Sequence, residues 1–439
     1  MKKTLLFFFA LLSINCFSQF SKTHYIPPLT CANNLAGDQY LYISTPSTAN
    51  VKFKIIANGV TIYDGIVSNN SPNVYPIGQG ANTQLLTPKN VTGILTNKGY
   101  IIEAEDLVYV SVRLNSSQNA NGTYNHAGGL VSKGNSALGK EFRLGAMLNP
   151  KFDNTVLNFA SILSTENNTK ITISNIPTGT ILSDGTIITA PIEITLNKNE
   201  SYVLAMDNST NMTPSNSSKI IGVLIKSTEL IGVNSGSFGG SNSTEVNSAG
   251  AVTGRDVGFD QIVPFEKTGK EYIFIKGKGT IELEQVLLVA HKDNTSIYVN
   301  GNTAPSAILN AGEHINLDGS YFSNGYLYIT SSENVFAYQS IGGGTAAANQ
   351  NLFFVPPINC ATPKTVNNIP FIESIGNITF NGGLNIVTEA GATVLINNRP
   401  VTVAPITIIP NPGYVYYTIA GLSGNISVKS TKQVYVSYF

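Results

Sequence analysis

A chain of 439 residues with 26 Lys and Arg against 26 Asp and Glu, and only 12% charged residues, excludes a role on nucleic acid. Phosphate backbones demand clustered basic side chains, and no basic run occurs. The 42% apolar content fills more than one packed core at this length, while 40 Gly and Asn/Ser/Thr-rich connections suit many short strands joined by turns.

Residues 1–19 read as an export signal. Lys2 and Lys3 precede the apolar run Leu5–Leu12, and small or polar residues follow, with cleavage expected near Ser18-Gln19. Cys16 offers a lipoprotein alternative, although Asn15 is a poor small residue before a lipidated cysteine. No later segment is long and apolar enough to span a bilayer as a helix.

The mature chain divides into four β repeats, at 20–120, 121–250, 251–345 and 346–439. The first holds the alternating runs Tyr40–Thr45 and Val51–Ile56. Later repeats open on Gly139-Lys-Glu-Phe and Gly269-Lys-Glu-Tyr, continue through apolar runs at Leu157, Val286 and Leu384, and turn at Asn168 and Asn294 into alternating strands. Each closes on one pattern: Ile102 to Val110, Ile225 to Val233, Ile329 to Ala337 and Val428 to Val436. A polar stretch between two alternating apolar segments reads there as a hairpin. No helical spacing with caps runs beyond about ten residues, so the chain is all-β, four tandem antiparallel units each a small sandwich, or else a ring of enlarged propeller-like blades. The fourth pattern runs into Phe439 where a loop follows the others, so this sequence is expected to be the front of a longer protein.

Cys31 and Cys360 sit in matching contexts, Pro27-Pro28-Leu-Thr-Cys31 and Pro356-Pro357-Ile-Asn-Cys360, each opening a repeat. In an exported protein they form a candidate disulfide; the alternative is two separately buried thiols.

Long Gly/Asn/Ser-rich loops follow the closing patterns, at Asn115–Gly139, Ser235–Gly258 and Ile341–Asn351. Long loops on rigid β scaffolds are where binding resides, which makes Asn121, Tyr124, His126, Phe238, Asp256 and Asp260 the candidate binding residues; plain flexible connection is the alternative. Catalytic chemistry has little to stand on. The four histidines, His24, His126, His291 and His314, lack a second ligand at metal-binding spacing. No nucleophile elbow or phosphate loop occurs. Glu282 and Glu284 alternate with apolar residues and share one strand face, an arrangement that serves acid–base work or simply a solvated surface. Asp256 and Asp260 raise calcium as a ligand, but they match no calcium-loop spacing, and no cofactor is expected. Alternate tyrosines such as Tyr40 and Tyr42 suit sheet packing or a sugar-stacking platform.

The opening His24-Tyr-Ile-Pro-Pro-Leu and Asp38-Gln-Tyr-Leu-Tyr-Ile-Ser-Thr-Pro46 resemble the start of secreted surface proteins of gliding Bacteroidetes. The Gly-Lys-Glu openings, the Asn-Thr-x-Ile strands and the Ile-x-Ser-x-x-x-Val patterns resemble the IgGFc-binding-protein N-terminal domain over nearly all of the mature chain. The resemblance implies an extracellular or cell-surface, non-catalytic adhesion module that binds a glycan or protein, in proteins that typically continue into a type IX sorting domain, which this sequence lacks. A scaffold displaying a further module and a polysaccharide-active enzyme are the competing readings. The antibody binding of animal members transfers to no residue here.

Overall fold

The computed structural model describes residues 19–31, 36–115, 126–209, 214–248, 250, 252–342, 351–359 and 362–439. Among them the chain is all-β, its only helical elements being four short 3-10 turns. The turns expected at Asn168 and Asn294 are present, both residues adopting left-handed φ angles of 55° and 56°.

Three sheets share one wiring. Each is organised on a long strand: Tyr100–Asn115, Leu224–Gly240 or Tyr326–Ile341. The first half of the first long strand pairs with Ser21–Ile26 on one side and Val51–Ala57 on the other; its second half pairs with Asp38–Ser44 and Ala127–Val131. The repeated pattern is therefore one continuous strand, not the hairpin read from the sequence. Its polar middle is a bend where the register slips: Ser21 sits opposite Val108 and Thr23 opposite Glu103. The same slip recurs between Gly139 and Glu141 and between Gly269 and Glu271. Each bend carries its strand from one layer to the other, so the polar residues face solvent while both flanks are buried.

A fourth segment follows the same plan in two separate four-stranded sheets. Its long strand is interrupted at residues 431–433, leaving Ile426–Ser430 in one sheet and Val434–Tyr438 at the edge of the other.

The strand after each long loop turns back. Ala127–Val131, Asp256–Ile262 and Asn351–Phe354 each pair with the long strand that precedes the loop. The boundaries drawn at 120/121, 250/251 and 345/346 thus fall between a long strand and the strand completing its sheet. These return strands lie side by side. Ala127 N–H donates to Asp256 Oδ1 (3.2 Å) and Phe354 N–H to Asp260 Oδ2 (3.1 Å). A Cβ on Gly128 would lie 2.6 Å from the Val257 carbonyl, and one on Gly258 2.7 Å from Leu352 N. Those two glycines serve close strand packing rather than flexibility.

The four bodies contact one another in a ring. First and second share a core that joins Leu41, Val110 and Leu130 to Phe159, Phe238 and Phe259; second and third share one that joins Ile162 and Ile231 to Leu287 and Tyr338. Third and fourth meet through Ile273, Tyr326, Val387 and Tyr416. The contact between fourth and first is mainly polar, and it borders a cavity.

Candidate functional site

That cavity has a volume of about 590 Å³, within the range of ligand pockets. Its apolar lining includes Leu130, Val263, Ile275, Phe353, Val366 and Phe439, drawn from all four bodies. Polar groups stand around it: Arg113, Lys133, Asp260, Glu373, Asn385 and Ser437.

Arg113 extends from the second half of the first long strand. Its guanidinium donates to the carbonyls of Phe371 (2.6 Å), Ser374 (2.9 Å) and Pro370 (2.7 Å), and lies 4.1 Å from the Tyr42 ring centroid. Beside it Gly376 N–H donates to Tyr42 Oη (2.7 Å), and Ser44 Oγ donates to the Asn368 carbonyl (2.5 Å). Three planar donors matched to three carbonyls clamp the fourth segment to the first. The Tyr109 hydroxyl nearby is pushed well above its ordinary pKa by burial, with Tyr438 adding to the shift, so it is a neutral group at any physiological pH.

On the opposite wall Lys133 donates to Asp260 at 2.7 Å, and to the Gln261 carbonyl. Burial lowers the lysine pKa and the Asp260 charge opposes the shift. Asp260 also accepts from Phe354 N–H and Gln261 N–H, so its oxygens are committed to holding return strands together.

The sequence candidates divide accordingly. Asn121, Tyr124 and Cys360 lie outside the described residues, as do Cys16 and the rest of residues 1–18. Phe238 is a fully buried strand residue stacked on Phe259 in the core shared by the first two bodies, because its strand runs on past the expected loop start. Asp256 is buried, accepts from Val257 N–H (2.8 Å) and Ala127 N–H, and lies 3.6 Å from His126 Nδ1. Burial raises its pKa, countered by His126 and the backbone donors. Asp256 and Asp260 share a strand face but each holds its own partners. Among the described residues no three His, Cys, Asp or Glu side chains stand together as a metal site.

Glu282 and Glu284 lie in a turn rather than on a strand. Glu282 accepts from Thr244 N–H, while Glu284 is buried and accepts from the N–H groups of Gly277 (2.8 Å), Gly279 (2.7 Å) and Gly342 (2.9 Å). The two carboxylates are turned to separate structural tasks. Cys31 is a buried free thiol whose pKa burial raises to about 12, its Sγ 3.7 Å from the Thr87 carbonyl. Of the six candidate binding residues read from the sequence, Asp260 alone lines the cavity. Arg113 carried one usable signal, a lone cation in the apolar run Val108–Leu114.

Fold and site together define an all-β chain with a large cavity beside a polar junction between its sheets. A family model, that of the IgGFc binding protein, matches residues 127–439. The chain belongs to that family. No curated protein matches it. Among solved structures, one described as giving insight into host cell surface retention of a 1.5-MDa bacterial ice-binding adhesin is 11% identical, with 76% of this chain and 96% of that chain covered and a TM-score of 0.11. A GH78 rhamnosidase of Bacillus sp. GL1 is 9% identical, with 80% of this chain and 56% of that one covered and a TM-score of 0.12. An anti-sigma factor domain-containing protein from Clostridium clariflavum is 10% identical, covering 92% and 94%, also at 0.12. Such TM-scores are far below those of a shared fold. No described helix is long and apolar enough to cross a membrane.

Proposed function

We propose that this chain is a non-catalytic adhesion-type module working outside the cell, and that its ligand is a protein held at the cavity that borders the junction of the first and fourth bodies. The family's description, IgGFc binding protein, supports a polypeptide ligand over a glycan. The observation that carries the site is the cavity itself, a large apolar space with polar groups around it, beside the junction of the first and fourth bodies, which no shared apolar core closes among the described residues. Export through the N-terminal signal, and a type IX-sorted Bacteroidetes surface protein as the parent, belong to this reading.

The test is an array of extracellular proteins beside a glycan array, probed with the wild-type chain and with Val131→Trp and Ser437→Trp, two half-buried cavity positions. Protein binding lost in both variants, with unchanged circular dichroism, is expected. Binding to glycans alone, to nothing, or binding indifferent to both fillings would overturn the proposal.

A further inference from the structure

Alternate residues of the first long strand, Tyr109, Ser111, Arg113 and Asn115, share one face. Each carries a buried polar atom with no hydrogen-bond partner among the described residues: Tyr109 Oη, Ser111 Oγ, Arg113 Nε and Asn115 Nδ2. All four atoms can donate, and a buried donor left unmet is costly enough that it calls for an explanation. Of the four residues, Tyr109 and Arg113 line the cavity, and they are only 1% and 4% exposed.

Their neighbours on the adjoining strand are already engaged. Ser44 lies opposite Tyr109 and Tyr42 opposite Ser111, and both hydroxyls bond across to the fourth segment, at Asn368 and Gly376. Tyr109 Oη has Ser111 and Tyr438 beside it and bonds to neither. Burial keeps its phenol protonated, so it offers a proton just as Arg113 Nε does. Charge points the same way. The Arg113 guanidinium meets three neutral carbonyls, and among the described residues no carboxylate forms an ion pair with it. The carboxylates that line the cavity are occupied elsewhere: Glu373 accepts from Gly424 N–H (2.7 Å), and Asp260 holds Lys133 and the N–H groups of Phe354 and Gln261. An acceptor satisfies both donors, and an anionic acceptor also balances the buried arginine.

We infer that the cavity binds a carboxylate on an apolar stretch of a protein partner, one that accepts from Arg113 Nε–H and the Tyr109 hydroxyl while its apolar neighbours pack against Leu130, Phe353 and Val366. The inference rests on the protein-binding reading above and names the chemistry selected. That chemistry is an Asp or Glu side chain, or a free C-terminal carboxylate, among Leu, Ile, Val or Phe residues.

The probes are two hexapeptide libraries built from Leu, Ile, Val and Phe with one position varied over all side chains, one library amidated at its C-terminus and the other ending in a free carboxylate. The receptor is the full chain. In the amidated library, Asp and Glu peptides are expected to bind at least about tenfold more tightly than their Asn and Gln counterparts, which assigns a side-chain carboxylate. The same advantage for the free-carboxylate library over the amidated one assigns a chain terminus instead. Tyr109→Phe removes one hydroxyl and is expected to weaken the preferred acid peptides about tenfold, the loss of a hydrogen bond to a charged group, while amide peptides are unaffected. In nitrogen-labelled wild-type protein, the Arg113 Nε–H resonance moves downfield on saturation with the tightest acid peptide and stays in place with its amide, a readout that needs no variant. Equal binding of acid and amide forms, preference for basic peptides, no peptide binding, an unmoved Arg113 Nε–H or indifference to Tyr109→Phe would each overturn the inference. If array binding to a protein is lost in Val131→Trp and Ser437→Trp but unchanged in Tyr109→Phe, carboxylate recognition fails while protein binding stands.

Discussion

Replacing Arg113 with alanine tests whether the ring is closed by one side chain. Arg113 is 4% exposed and donates to three carbonyls of the fourth segment, each a charge-assisted bond of about 1.5–3 kcal/mol in isolation. Its contact with the Tyr42 face adds about 1 kcal/mol. Those terms are not additive, because water reaches the three carbonyls once the junction opens. The expected net loss in closure is about 3–4 kcal/mol. It appears as local opening rather than global unfolding, since four separate apolar cores remain intact. The Gly376 N–H crosses the junction to Tyr42 Oη and reports closure directly. Its exchange in Arg113→Ala is expected to accelerate by roughly two to three orders of magnitude, at about 1.4 kcal/mol per tenfold, while amides of the third long strand are unchanged. Acceleration below threefold, or equal acceleration in the third body, would refute the clamp.

His24 is fully buried between Ser132 Oγ and the Val108 carbonyl, and burial lowers its pKa to about 4. The unfolded chain titrates nearer about 6.5 and takes up the proton first. Stability is therefore full above that value and falls as the pH drops towards 4, by about 3 kcal/mol from this group. Denaturant titrations of wild type and His24→Gln should differ in slope across that window, and parallel pH profiles would count against the assignment. The Cys31 thiol, raised to about 12 by burial, should resist alkylation in native protein at pH 8 and react on unfolding; rapid native labelling would contradict its placement.

Alternation of β-branched residues and the left-handed Asn168 and Asn294 made the strands and their turns legible, because both signals are local. The repeated pattern misled for a local reason too. A polar stretch between apolar runs suggests a turn, yet Glu103-Ala-Glu-Asp106 and Lys226-Ser-Thr-Glu229 contain no Gly or Asn to take the positive φ of a tight hairpin. That absence was the available sign of a bend within one strand. Glycine misled in the other direction: Gly128 and Gly258 looked like loop composition and are instead contact points between strands. The clamp and the cavity were beyond sequence reading, since Arg113 meets partners more than 250 residues away.

The return strands carry a consequence for how such a chain is dissected or inherited. A cut made in any of the long loops removes from the preceding sheet a strand it already counts as its own, and hands the following fragment a ribbon with no sheet to join. Shuffling of these bodies must therefore respect a frame offset from the loops by one strand. A cut placed after a return strand, past residue 131, 262 or 354, leaves that strand with its sheet, although the second sheet also draws Gly93–Leu95 from the first body.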